Sequence, residues 1–402
     1  MFHLGHGSAS VFFCVLAASF CLGARNDDAA LKSLYDGHRW FELRESVRKD
    51  HPSAFYQGAV ACAFNDVRRC ERKLRDVHRH ASTSDDAVEA HRILASAYFT
   101  HGQYKKALAQ VDAILELRPT DSDALGGRPV IAVLAEAPDQ QITGRHTRVQ
   151  LQDDGLPFSI NGVHATYWFD TGAELSVLSE SEAKRFGLQI HSASVQVSDV
   201  NGTRVQTRIA VADELSIGSI RVKHVAFLVF PDKQPPFDQQ ASGSRGLIGL
   251  PVLLAFKTFA WGADKSFEIG SASVRRTQHA DLCFDGNHPL VQVAYENRAL
   301  TFALDTGATN TDLYPPFASA FPELIHHAPK TDSYKMEGVG GAKQMEAATL
   351  ESLRFSIGGF PTTLSRWESC SSPPPMPASF SQEILGSTSC NRPTRQRSIS
   401  RR

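Results

Sequence analysis

The tetrapeptide Asp170-Thr171-Gly172-Ala173 recurs 135 residues later as Asp305-Thr306-Gly307-Ala308. An apolar run of strand-like composition precedes each copy, at 165–169 and at 300–304. Each copy therefore presents a carboxylate directly after a predicted strand. The Thr can hydrogen-bond locally to hold the loop, and the Gly permits a close backbone approach there.

The segments before the two tetrapeptides also match. Residues 157–166 alternate in polarity around Asn161-Gly162, which predicts a β-hairpin with a tight turn. Residues 289–301 have the same pattern.

The segments after the tetrapeptides match as well. Each copy has a glycine-bearing polar turn, at 201–202 and at 338–341. Each later has two apolar residues and a glycine, Leu247-Ile248-Gly249 and Ile384-Leu385-Gly386, which end 79 and 81 residues after the Asp. A lone Asp-Thr-Gly is also typical of an ordinary strand-to-turn junction. Two copies, each with a matching hairpin, glycine-bearing turn and apolar-apolar-Gly segment at equivalent positions, indicate an internal duplication.

On these motifs the chain resembles the retropepsin-like aspartic protease superfamily in a duplicated, single-chain form, over roughly residues 146–390. The resemblance implies an all-β double lobe, with lobe 1 at 147–275 and lobe 2 at 276–390. It implies an active site at the junction of the lobes, and apolar side chains preferred near the scissile bond.

The resemblance also implies a role for each motif residue. The catalytic pair would be Asp170 and Asp305, which share a proton because two facing carboxylates repel each other. One acts as base on a water and the other as acid on the scissile carbonyl. No covalent intermediate, metal or cofactor is implied. The loop-supporting residues would be Thr171, Gly172, Thr306, Gly307, Gly249 and Gly386, and the flap residues Asn201, Gly202, Gly338, Gly340 and Gly341.

Residues 25–126 have a helical pattern and few prolines. They resemble the tetratricopeptide (TPR) helix-turn-helix repeat at Leu94, Tyr98, Gly102, Tyr104, Ala107 and Pro119. Since repeats need neighbours to bury their faces, we expect two or three helix pairs. This predicted domain either stabilises the protease-like part or forms a groove for a protein partner, and the sequence leaves both open.

The first 24 residues predict a secretory signal peptide. An apolar run at 11–22 is followed by small Gly23-Ala24 and then by charged residues, although the segment before the run has no Lys or Arg. An uncleaved anchor and a buried helix are the alternatives. The prediction is a secreted or periplasmic protein, and no other stretch is apolar enough to span a membrane.

The formal net charge of −1 gives no electrostatic case for binding nucleic acid or an anionic membrane. The cysteines do not have the spacing of a zinc or thioredoxin-like site. Cys62 and Cys70 can form a disulfide only if the chain turns between them, near Asn65-Asp66, since one straight helix would hold them too far apart.

Two segments at the borders of the predicted domains carry their own expectations. Gly126-Gly127-Arg128-Pro129 should break the helical pattern and begin a linker over 127–146. Only 16 residues follow Gly386, so lobe 2 is expected to lack its closing elements, and the basic segment 391–402 is expected to be disordered.

Three functional hypotheses follow. The first is an aspartic endopeptidase that acts on a peptide or protein substrate. The second is a catalytically silent module, in which the helical domain and the protease-like part hold a peptide without cutting it. In the third, lobe 1 pairs with lobe 1 of a second chain, so that activity would survive loss of Asp305.

Overall fold

The protein is described by a computed structural model that covers 28–49, 53–80, 85–198, 202–262, 264–270, 281–308, 311–338, 340–370, 383–385 and 397–400. The predicted signal peptide over 1–24 lies outside these residues. The N-terminal part is helical, as predicted. Its described helices are α1 (28–36), α2 (Trp40–Lys49), α3 (Ala54–Ala63), α4 (Val67–His80), α5 (Asp85–Thr100), α6 (Tyr104–Leu117) and α7 (Ser122–Leu134).

Helix α4 shows why these segments become helices. It carries many charged residues, but Val67, Cys70, Leu74 and Val77 recur at spacings of three and four and are buried. This spacing puts them on one face of the helix, which packs inward while the charged residues face outward.

The chain turns between α3 and α4, which allows Cys62 and Cys70 to form a disulfide. Asn65 has a φ of +60° in this turn, and the Cα atoms of the two cysteines lie 5.1 Å apart. The turn that the sequence analysis required for this pairing is therefore present.

Helix α7 corrects the prediction that Gly126-Gly127-Arg128-Pro129 breaks the helix. The helix begins after Asp121, whose side chain accepts a hydrogen bond from the Ala124 amide, and it continues through Pro129 to Leu134. Leu134 is fully buried in a hydrophobic cluster with Tyr98 and Phe99 of α5. Packing of this kind outweighs the unfavourable helix propensity of glycine and proline.

The predicted linker over 127–146 is therefore largely structured. Besides the end of α7, it contains strand β1 (Gln141–Thr143), which pairs antiparallel with residues 221–223 of the following sheet.

The C-terminal part is rich in β-structure, as predicted. Its described strands are β2 (Thr147–Gln150), β3 (Leu156–Ile160), β4 (Val163–Phe169), β5 (Ser176–Ser179), β6 (Val195–Ser198), β7 (Arg204–Ile217), β8 (Ile220–Phe230), β9 (Gly246–Ile248), β10 (Thr258–Trp261), β11 (Ser266–Ile269), β12 (Leu282–Asp285), β13 (His288–Tyr295), β14 (Arg298–Leu304), β15 (Asp312–Leu313), β16 (Lys330–Gly338), β17 (Gly341–Ile357), β18 (Phe360–Cys370), β19 (Glu383–Leu385) and β20 (Arg397–Ser400). Its short helices are α8 (Glu180–Arg185), α9 (Leu250–Ala255), α10 (Pro315–Ala320) and α11 (Pro322–His326).

Most of these strands belong to two large sheets, named here the first β-unit (β1 and β3–β9) and the second β-unit (β12–β19). In the first β-unit the pairing order β4-β9-β5-β8-β7-β3 closes into a ring, because β3 also pairs with β4. In the second β-unit β14-β19-β15-β18-β17-β13 closes in the same way. Strands at corresponding positions of the chain therefore have the same neighbours.

A smaller sheet, β2-β11-β10-β20, corrects the predicted disorder of 391–402 for residues 397–400, which are the part of this segment that the structure describes. Arg397–Ser400 forms strand β20, antiparallel to β10. The unpaired backbone groups along an edge strand such as β10 can be satisfied by any chain that lies beside it, so this pairing needs no apolar run.

The helical part packs on both β-units. One hydrophobic cluster joins Tyr98 and Leu134 to Leu175 and Ile209 of the first β-unit. A second cluster joins residues of α1–α3 to Cys283, Leu290, Ala303 and Tyr314 of the second β-unit. Among the described helices, none is long and apolar enough to cross a bilayer.

Candidate functional site

The two Asp-Thr-Gly loops leave equivalent strands of the two β-units. β4 ends at Phe169 and runs parallel to β9, with Trp168 opposite Leu247 and Phe169 opposite Ile248. β14 ends at Leu304 and runs parallel to β19, with Ala303 opposite Ile384 and Leu304 opposite Leu385. The two apolar-apolar-Gly segments thus lie beside the two loops in the same register.

The threonines of the loops join the two β-units by four hydrogen bonds. Thr171 Oγ1 donates to the Leu304 carbonyl at 2.6 Å, and Thr306 Oγ1 donates to the Phe169 carbonyl at 2.7 Å. The Thr171 amide donates to Thr306 Oγ1 at 3.0 Å, and the Thr306 amide donates to Thr171 Oγ1 at 3.1 Å. Each hydroxyl is therefore both donor and acceptor, and each loop is completed by the other.

The same arrangement brings the two predicted catalytic carboxyls together. Asp170 Oδ1 accepts from the Gly172 amide, and Asp305 Oδ1 accepts from the Gly307 amide, both at 2.8 Å. The Ala308 amide also donates to Asp305, at 3.1 Å. These bonds aim each carboxyl toward the opposite loop.

The carboxyl of the opposite aspartate lies so close to the third residue of each motif that this residue must be glycine. A Cβ on Gly172 would lie 2.8 Å from Asp305 Cγ, and a Cβ on Gly307 would lie 2.5 Å from Asp170 Cγ. Both distances are shorter than real Cβ contacts, so a larger residue would push the opposite carboxyl away.

Removal from water raises the pKa of Asp170 well above its ordinary value near 3.8, and the neighbouring Asp305 carboxyl raises it further. Hydrogen bonds from the Gly172 and Ala173 amides oppose this rise. Two carboxyls that lie this close hold one proton between them over a range of pH, because both cannot ionise without strong repulsion.

Gly249 lies directly behind the first loop. The Asp170 amide donates to the Ile248 carbonyl at 2.8 Å, and the Leu250 amide donates to the Ala173 carbonyl at 2.9 Å. The Gly249 amide itself donates to Ser176 Oγ at 3.0 Å. The predicted counterpart, Gly386, lies outside the described residues.

Four of the five predicted flap residues lie at the tips of two hairpins. Gly202, with a φ of +73°, lies in the connection between β6 and β7. Gly338 and Gly341 pair across the tip between β16 and β17, with Gly340 in the turn. Asn201 lies outside the described residues.

Sequence reasoning missed a contact between the two β-units beside the carboxyl pair. His288 Nε2 lies 3.7 Å from Oε1 of Glu174, the residue that follows the first tetrapeptide. Burial lowers the pKa of His288, against the opposing effect of the Glu174, Asp285 and Asp305 carboxylates. Glu174 and His288 belong to no motif, although Glu174 directly extends the tetrapeptide.

One comparison with known proteins matches the segment of the chain that contains the first loop. Residues 156–252, which run from β3 into α9 and include Asp170 and Gly249, match the family model for an aspartyl protease. No curated protein matches the chain. A solved retropepsin-like aspartic protease from Rickettsia conorii is similar over 33% of this chain and 92% of its own, with 17% identity and a TM-score of 0.23.

Proposed function

We propose that this protein is an aspartic endopeptidase that hydrolyses peptide bonds with a water held between Asp170 and Asp305. The observation that carries the proposal is the reciprocal contact of the two loops. Their threonines hold each other, and each glycine leaves the space that the opposite carboxyl occupies.

In the proposed reaction the pair holds one proton at the start. The ionised carboxylate takes a proton from the water, whose oxygen attacks the scissile carbonyl carbon. The protonated carboxyl donates its proton to the carbonyl oxygen, which gives a neutral tetrahedral diol. Proton transfer to the amide nitrogen then allows the carbon–nitrogen bond to break, and the products are a carboxyl and an amino terminus.

The raised pKa of Asp170 sets the direction of the pH dependence. The singly protonated pair persists until the pH rises through this raised value. Activity should therefore be highest on the acidic side and fall as the second carboxyl ionises at higher pH.

The proposal includes a duplicated double lobe, in which the first and second β-units are lobes 1 and 2. Their equal strand order and the equal register of β9 and β19 support it. The substrate would lie extended in the cleft between the carboxyl pair and the two hairpin tips, and would form backbone hydrogen bonds with these flaps.

Two further parts of the proposal concern the N-terminal half. We propose that residues 1–24 direct the protein to the secretory pathway or the periplasm. We also propose that the helical domain is TPR-like, which the contacts between the consecutive helices α3–α4, α5–α6 and α6–α7 support.

The test is cleavage of a mixed peptide library by the full chain from about pH 3 to about pH 8, a span that includes the ordinary pKa values of Asp and His. Asp170→Asn and Asp305→Asn should each abolish cleavage. Asp264→Asn is the matched control, because Asp264 also accepts a backbone amide two residues on, from Ser266, but lies in the turn between β10 and β11.

Three results would refute the proposal or part of it. A folded wild-type protein that cleaves no peptide at any pH would refute the catalytic function and favour a peptide-binding module. Cleavage that survives Asp170→Asn would exclude this carboxyl as part of the catalyst. Cleavage that survives Asp305→Asn alone would refute the single-chain site and favour pairing of lobe 1 between two chains.

A further inference from the structure

The two strands that lead to the catalytic pair differ in what covers them. Ala303 on β14 is 7% exposed and belongs to the hydrophobic cluster that includes α1–α3. Trp168 occupies the equivalent place on β4, 135 residues earlier, and is 55% exposed. The helical part therefore covers the side of the site next to Ala303 and leaves the side next to Trp168 open.

The turns before the two hairpins show the same difference. Asn287 Oδ1, in the turn between β12 and β13, accepts hydrogen bonds from Ser96 and Thr100 of α5 at 2.8 and 2.7 Å. The equivalent residue of the first β-unit is Gln152, which is exposed together with its neighbour Asp153. Helix α5 is thus hydrogen-bonded to the second β-unit at a position whose counterpart in the first β-unit is exposed.

The covered side is also where the two β-units meet beside the catalytic pair. His288 follows Asn287 and contacts Glu174 of the first β-unit. Leu175, the next residue, is 4% exposed and packs in the cluster that contains Tyr98 of α5 and Leu134 of α7. Helices therefore cover both β-units at this edge.

The length of chain between Asp170 and Leu175 limits how far this edge is from the carboxyl pair. Five residues span at most about 17 Å when fully extended, at about 3.3–3.4 Å per residue. A bound substrate is itself an extended strand, so no more than about five of its residues fit between the scissile bond and the helices.

We propose that the helical domain closes one end of the substrate cleft. Substrates would then extend freely only through the end beside Trp168, and would be cut within about five residues of one terminus, given the rise of a strand. The enzyme would accordingly cut internal bonds that lie near one end of a peptide, rather than bonds in the middle of a long chain. This inference rests on the proposed endopeptidase function.

The experiment uses one peptide that the full-length protein cleaves, extended stepwise in two series. One series adds residues before the scissile bond and the other adds them after it. In one series, kcat/KM should fall at least about tenfold once the side exceeds about five residues, the limit set by strand rise. In the other it should stay within about twofold of the parent peptide. Equal tolerance in both series would overturn the proposal and leave the proposed function intact, whereas failure of the folded protein to cleave any starting peptide would overturn both.

A binding measurement tests the closed end without turnover. The Asp170→Asn variant would be mixed with peptides that carry a photo-crosslinking residue at the outermost tolerated position on either side. The restricted side should cross-link to α5 or α7, and the free side should cross-link only to the β-units. Cross-links from both sides confined to the β-units would overturn the proposal.

Discussion

Replacement of Thr171 by Val should remove two of the four hydrogen bonds that join the two β-units, while it preserves the shape of the side chain. The Thr171 side chain is fully buried, and its hydroxyl satisfies two backbone groups of the second β-unit, the Leu304 carbonyl and the Thr306 amide. A buried polar group that loses its partner costs about 1–3 kcal/mol. Two such groups give an expected loss of about 2–6 kcal/mol in the free energy of unfolding.

The assay is urea denaturation followed by circular dichroism, with cleavage rates measured on the same samples. Thr207→Val is the matched control, because Thr207 is also a buried threonine, but its hydroxyl donates to the Val229 carbonyl inside the first β-unit, at 2.8 Å. The control should lose stability and keep its catalytic rate. Thr171→Val should lose both, because the carboxyl pair is positioned by the contact that it removes.

Since the four bonds form one network, Thr171→Val combined with Thr306→Val should cost clearly less than the sum of the two single losses. Additive losses would refute the view that the two hydroxyls act as a unit. A Thr171→Val variant within about 0.5 kcal/mol of wild type, the usual range for surface changes, would refute the energetic argument itself.

Three further outcomes are expected. Gly307→Ala should lower the cleavage rate by about 10²-fold or more with an unchanged circular dichroism spectrum. The new Cβ would displace the Asp170 carboxyl, and small displacements of a reacting group have an effect of this size. A normal cleavage rate would contradict the close approach of Gly307 to Asp170. The hydrogen bond that His38 Nδ1 donates to Asp285 Oδ1 raises the pKa of His38. This contact therefore stabilises the fold below the ordinary pKa near 6.5, and the stabilisation is lost as pH rises through the raised value. The melting temperature should therefore fall between about pH 6 and pH 8, around that pKa, and His38→Asn should flatten this fall; an equally steep profile in the variant would exclude the pair as its source. Replacing both cysteines of the α3–α4 disulfide by serine should lower the free energy of unfolding by about 2.5 kcal/mol, because the disulfide restricts the entropy of the short loop that it closes. The loss would be measured as a lower midpoint of denaturation. An unchanged midpoint would show that the turn is stable without the disulfide.

Local patterns were enough to predict the parts of the site that depend on neighbouring residues. Asn161 and Gly162 have positive φ values of 49° and 81° and join β3 to β4, as expected for an Asn-Gly hairpin turn. The Asp-Thr-Gly loops and the apolar segments beside them were visible because the chain contains each of them twice. Repetition supplied the information that a single copy lacks.

The remaining features depend on contacts between distant segments. Pro129 remains helical because of what packs against α7, and the contact of Glu174 with His288 joins residues that are 114 positions apart in sequence. Likewise, nothing in residues 25–126 indicated that their helices would pack on both β-units. Periodicity predicts which face of a helix is buried but does not identify the partner that buries it.

The reciprocal threonine hydrogen bonds also constrain the evolution of this sequence. In each half, backbone groups of the loop form their hydrogen bonds with the threonine of the other half. A substitution near one Asp-Thr-Gly therefore changes the hydrogen bonding of the backbone in the other half. The two copies of the motif are therefore expected to show epistasis, in which a change tolerated in one copy depends on the residue present in the other. The same dependence predicts that the halves, expressed as separate polypeptides, would regain the loop contacts only by reassociating.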